Sequence, residues 1–112
     1  MIYSIVGTGI SKREKVNEVL GKLGLSTAHI YSEHVSTLKS LISSSSLFGD
    51  KIIVNLIQTM DNVISRDIVV DLLPDMKDSK NIFIIDEPYA DANRLKRLEK
   101  YSEKVYDARE EK

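Results

Sequence analysis

Two groups of residues in this chain have the types and order from which nucleotide chemistry is built: Gly7-Thr8-Gly9-Ile10-Ser11-Lys12-Arg13 and Asp86-Glu87. A glycine turn that opens a helix can cradle phosphates with its backbone N–H groups, and a lysine there offsets their charge. A working phosphate loop has the spacing G-x-x-x-x-G-K-[ST]. Counted from Gly7, Lys12 stands where the second glycine belongs; counted from Gly9, Glu14 does. The dinucleotide fingerprint G-x-G-x-x-G also fails, because Lys12 again replaces the last glycine. Asp86-Glu87 follow the apolar run Ile82-Phe83-Ile84-Ile85, the placement of the acidic pair that holds magnesium in NTPases. Pro88 comes next, so a strand ending in a polar turn explains the pair equally well. The favoured reading is a turn feeding a capped helix. A divergent nucleotide-binding protein using Lys12 with Asp86 and Glu87 is the alternative.

Other chemistries find less support. A phospho-receiver domain needs acidic residues just after its first strand and an aspartate at the end of its third. Here those positions read Gly7-Thr8-Gly9 and Leu56-Ile57-Gln58-Thr59. His29 and His34 fall on different elements without matched carboxylates, so no metal site is expected. With no cysteine, thiol catalysis, disulfides and Cys-ligated metals are excluded. Arg94, Lys96, Arg97, Lys100 and Lys104 form the most basic stretch and could contact DNA. Glu99 and Glu103 interleave with them, so ion pairing on a solvated face is the plainer reading. Leu47-Phe48, an adjacent apolar pair after the run Ser43-Ser44-Ser45-Ser46, could tuck under a sheet or project into a partner's pocket.

The elements that must position these residues alternate regularly. β-branched runs at Ile2 to Val6, Thr27 to Tyr31, Lys51 to Ile57, Asn81 to Ile85 and, weakly, Lys104 to Tyr106 read as strands. Consecutive apolar residues in two of them imply burial on both faces, as in a helix-covered parallel sheet. Ser11-Lys12-Arg13-Glu14 has the form of a capping box, followed by the stripe Val16, Val19, Leu20 and Leu23, with Gly24 as a stop. A second helix carries Val35, Leu38, Leu41 and Ile42. A third opens near Asp61 with Ile64, Ile68, Leu72 and Leu73 on one stripe, and Pro74 should end it. A fourth opens at Asp91 or Asn93 and carries Leu95, Leu98 and Tyr101. Strand–helix alternation of this kind predicts an α/β three-layer sandwich around a five-stranded parallel sheet.

The 112 residues are taken up by these units, so residues 1–112 are expected to form a single domain. Sixteen basic and seventeen acidic residues give a net charge of -1, which argues against a globally basic nucleic-acid binder. The amino terminus lacks the basic flank and apolar length of a secretory signal, and no run approaches the roughly 18 apolar residues of a membrane span. A cytoplasmic protein is expected.

Against this background Ser46-Leu47-Phe48-Gly49-Asp50-Lys51-Ile52-Ile53-Val54 resembles the Ser-Leu-Phe-Gly-acidic-basic-apolar stretch of the bacterial DNA polymerase III delta subunit family. Ile2-Tyr3 with Gly7 resembles the opening strand and glycine turn of that family's N-terminal domain, and Arg13-Glu14 its first helix. Asp91-Ala92-Asn93-Arg94-Leu95-Lys96-Arg97-Leu98 resembles the segment after its fourth strand. The resemblance implies a P-loop-NTPase-like core of the AAA+ type without a functional P-loop. It further implies a non-catalytic clamp-loader domain of the DNA polymerase III holoenzyme that binds and helps open the DNA sliding clamp during replication. No cofactor and no catalytic residue are implied, since other subunits bind ATP. By the same resemblance Leu47 and Phe48 enter the clamp's apolar pocket, with Ser43 and Ser46 beside them. Family clamp-binding sequences often begin with a glutamine where Ser43 stands; serine cannot supply that long amide, so weaker affinity is expected. Partners would be the clamp, other loader subunits and DNA, the last through Arg94, Lys96, Arg97 and Lys100. The family continues into a second domain and a helical collar, so 112 residues correspond to its clamp-facing part alone.

Overall fold

The computed structural model describes residues 1–23, 27–43, 52–60, 62–89 and 91–107. Its strands are β1 (Ile2–Val6), β2 (Thr27–Tyr31), β3 (Ile53–Ile57), β4 (Ile82–Glu87) and β5 (Lys104–Asp107). Helices α1 (Gly9–Leu23), α2 (Leu38–Ser43), α3 (Val63–Asp78) and α4 (Ala92–Tyr101) alternate with them, and a 3-10 stretch, Ser32–Thr37, leads into α2. The strands lie in the order β2-β3-β4-β1-β5 and every neighbouring pair is parallel. Thus the α/β class and the parallel sheet follow the alternation in the sequence. In the flavodoxin-like layout of phospho-receivers the first strand lies between the second and third; here β4 separates β1 from β3.

Register assigns the core to two faces. Ile5, Ile53, Ile82 and Ile84 are buried on one, where α1 covers them with Val16, Val19 and Leu20. Ile2, Val6, Val54, Leu56, Phe83 and Ile85 occupy the other, beneath Leu38 of α2, Val69, Leu73 and Met76 of α3 and Leu98 of α4. β4 is buried along its whole length, which explains why its sequence carries apolar residues consecutively rather than alternately.

Four local expectations are corrected, at the start of α1, on the face and at the end of α3, and at the end of β4. α1 opens at Gly9, so Ser11 lies inside the helix and is not its N-cap. Positive φ at Gly7 (146°) and Gly9 (77°) turns the chain straight from strand into helix, a path that disfavours side-chain-bearing residues. α3 opens next to Asp61 as expected and is capped by Asn62, whose Oδ1 accepts from Ile64 N at 2.9 Å and Ser65 N at 3.2 Å. Of the expected stripe, Leu73 is buried and Ile68 and Leu72 pack half-buried against the core, but Ile64 is left 73% exposed and the fully buried positions are Ser65, Val69, Leu73 and Met76.

Pro74 does not end α3 but sits within it. Proline there removes the one N–H that would bond Val70, and the burial of Leu73 and Met76 on either side holds the next turn in place. The carbonyls at and just beyond that end gain an unusual partner: the Met1 ammonium lies within donating distance of the carbonyls of Met76 (2.8 Å), which also accepts from Ser79 N, and of Lys77 (3.2 Å), Ser79 (3.1 Å) and Asn81 (3.2 Å). A cation at a helix carboxyl terminus is favoured by the aligned peptide dipoles. Strand β4 also runs two residues further than expected, taking Asp86 and Glu87 into the sheet.

Candidate functional site

In an open parallel sheet a ligand crevice forms at the carboxyl ends of the strands, where helices leaving adjacent strands go to opposite faces. Here that place is between β1 and β4. α1 leaves β1 toward one face and α4 follows β4 on the other. Gly7, Gly9, Lys12, Asp86 and Glu87 all gather there, so the residues singled out for nucleotide chemistry do converge.

Their geometry is closed rather than receptive. Only Gly7 and Thr8 separate Val6 from Gly9, too short a path to wrap a phosphate chain. Gly7 N is already spent, donating to Glu87 O at 2.9 Å and extending the β1–β4 ladder. The Lys12 ammonium is ion-paired with Asp86 Oδ1, both side chains being about nine-tenths buried, so its charge is offset within the protein. Because alternate strand residues point to opposite faces, Glu87 turns away from Asp86. Its carboxylate is fully buried and Oε1 accepts from Met60 N at 3.2 Å. Asp86 and Glu87 therefore do not act as a pair. A shallow cavity of about 250 Å³ remains beside Lys12, lined also by Gly9, Arg13, Asn17 and Asp86.

The basic stretch of α4 is divided by the structure. Asp91 caps the helix, its Oδ1 accepting from Arg94 N at 2.8 Å. Leu98 is buried and Leu95 and Tyr101 pack on the core. Arg94 and Arg97 then face α3, where Arg66 joins them around a groove of about 240 Å³ with Asp67 and Asp91 on its walls and Met60 beneath. Lys96 and Lys100 do not line this groove; the Lys100 ammonium lies 5.3 Å from the Tyr101 ring centre. The expected ion pairing with Glu99 and Glu103 is absent: among the described residues no ion pair involves α4. Helical geometry explains this for the arginines, since Glu99 and Glu103 are not at i±3 or i±4 of either Arg94 or Arg97. Arg66 was not anticipated at all. Its part depends on two helices meeting side by side, which no local spacing encodes.

Of the residues proposed for clamp contact, Ser43 is exposed as the last residue of α2. Ser46, Leu47 and Phe48 lie outside the described residues. His34 is exposed in the 3-10 stretch and His29 is in β2. Among the described residues no helix is long and apolar enough to cross a membrane, and no three His, Asp or Glu side chains gather as metal ligands would.

No protein-family model matches this chain, and no curated protein matches it significantly.

Proposed function

We propose that this chain is a non-catalytic clamp-binding domain resembling the N-terminal, AAA+-type domain of the bacterial DNA polymerase III delta subunit, acting in DNA replication. The observation that carries the reading is the closed crevice between β1 and β4. A two-residue turn and a lysine tied to Asp86 stand where an ATPase core would hold phosphate. That is what a core of this kind looks like when its phosphate loop has been lost, and it agrees with the Ser46-to-Val54 resemblance. In this reading Leu47 and Phe48 are the apolar anchor, Ser43 and Ser46 flank it, and DNA contact falls to Arg94, Lys96, Arg97 and Lys100.

The test is binding of the chain to a purified bacterial sliding clamp by surface plasmon resonance, alongside a thermal melt. Leu47→Ala with Phe48→Ala should weaken binding by at least about thirtyfold, the effect of losing a central apolar anchor. The melting temperature should stay the same. A double variant that unfolds would show the pair to be core, and the plug reading would fall.

The cavity beside Lys12 and Asp86 supports part of the second reading, a divergent nucleotide-binding protein using Lys12 with Asp86 and Glu87; Glu87, buried on the opposite face of the sheet, does not line it. Calorimetry with ATP and magnesium decides between the two: binding that disappears in Lys12→Ala favours the second, and no heat favours the first.

A further inference from the structure

We infer that the groove between α3 and α4 is a binding site for a phosphoryl group, held by Arg66, Arg94 and Arg97. Three arginines from two helices line one concavity, against two carboxylates. Like charges gathered this way repel one another, and an anion placed among them removes the repulsion. Guanidinium is also the side chain best matched to phosphate, because its planar fork gives two parallel N–H donors to two phosphate oxygens.

The groove is free to receive such a guest. Arg94 and Arg97 are in no ion pair among the described residues. Arg66 has only a loose partner, its Nε lying 3.6 Å from Asp67 Oδ1, with both side chains open to solvent. The Asp91 carboxylate is already engaged in capping α4. A phosphoryl group entering the groove therefore meets three guanidinium groups against two carboxylates, of which Asp67 is the one beside Arg66. Met60, 2% exposed, forms an apolar floor and limits water beneath the anion, which strengthens charge-assisted hydrogen bonds above it.

This deepens the DNA part of the function proposed above but does not depend on clamp binding by Leu47 and Phe48. It also redraws the set of residues. Arg66 enters, whereas Lys96 and Lys100, on another face of α4, leave. The phosphoryl group could belong to a small polyphosphate or to a nucleic-acid backbone, and the same site chemistry serves both.

Titration calorimetry at low salt with inorganic pyrophosphate, and fluorescence anisotropy with a labelled single-stranded oligonucleotide, distinguish these sources. Arg94→Ala with Arg97→Ala should weaken binding of whichever probe binds by about tenfold or more. Arg66→Ala should weaken it as well, and Lys96→Ala with Lys100→Ala should have a markedly smaller effect. Asp67→Asn should tighten binding. Binding of pyrophosphate identifies a free phosphate ligand, and binding of the oligonucleotide alone identifies a backbone contact. The inference is overturned if neither probe binds, if the lysine pair matters as much as the arginine pair, or if Asp67→Asn brings no gain. All these positions are solvent-accessible on helices, and the thermal melts of the variants should coincide.

Discussion

Lys12 and Asp86 show how a pair of functional residue types can end up serving structure. Their side chains keep only 13% and 11% of their surfaces in contact with solvent, and each neutralises the other. Removing one charge strands its partner in a poorly hydrated place. Lys12→Met should therefore lower stability by about 1–3 kcal/mol in urea unfolding, and adding Asp86→Leu should recover part of that loss. A single variant as stable as the parent would mean that the pair is solvated and contributes nothing. The residue types and their approximate position were readable from the sequence. Their engagement with each other was not, because Lys12 and Asp86 meet only when β1 and β4 become neighbours. The same holds for Arg66, whose partners in the groove come from a different helix.

At the level of the helix, α1 and α3 show where pattern reading succeeds and where it slips. Both are recognisable from apolar spacing, and α3 opens beside Asp61 as expected, but the start of α1 differs from the capping-box pattern. Ser11-to-Glu14 has capping-box order but lies inside α1, since the glycine turn starts the helix earlier. α3, by contrast, depends on Asn62, which holds two backbone N–H groups. Asn62→Ala should cost about 1 kcal/mol, whereas Ser11→Ala, at an exposed helical position, should change stability little. Equal effects in parallel urea titrations would contradict these assignments. On α3 the expected stripe fails only at its first position, because Ile64 is as apolar as the residues that are buried while Ser65 beside it is the one turned inward. Only the sheet beneath decides which side turns inward. The outcome leaves Val63 and Ile64 exposed near the carboxyl edge of the sheet. The basic residues of α4 were likewise apparent in the sequence, but their division between a groove and an outer face comes from the neighbouring helix.

For the molecule as a whole, the alternation of short apolar runs and amphipathic stretches was enough to give the class and the parallel sheet. Strand order was not accessible that way, because every parallel arrangement uses the same alternation. The observed order sets β1 between β4 and β5 and leaves β2 and β5 at the edges. β5 pairs only with β1 in the sheet, and its residues are exposed or half-buried. In native-state hydrogen exchange the amides of β1 and β4 should open together, with the free energy of global unfolding. Those of β5 should exchange faster, through local fraying. If β5 proves as protected as β1, the edge is held by something beyond this ladder.

The place of β1 also bears on the order in which the chain is made. Its residues are synthesised first, yet Ile2 is aligned with Phe83 and Tyr3 with Lys104. While the ribosome is still producing α3, only β2 and β3 can pair, and β1 has no neighbour on either side. The centre of the sheet can close only once β4 has emerged. Until then Ile2, Ile5 and Val6, all fully buried in the finished fold, are uncovered on a growing chain, the kind of apolar segment that chaperones retain. A ribosome stalled before Ile82 would release a product that keeps its helix-forming segments but has no partner for its first strand, and the cell's quality control would meet it as unfolded.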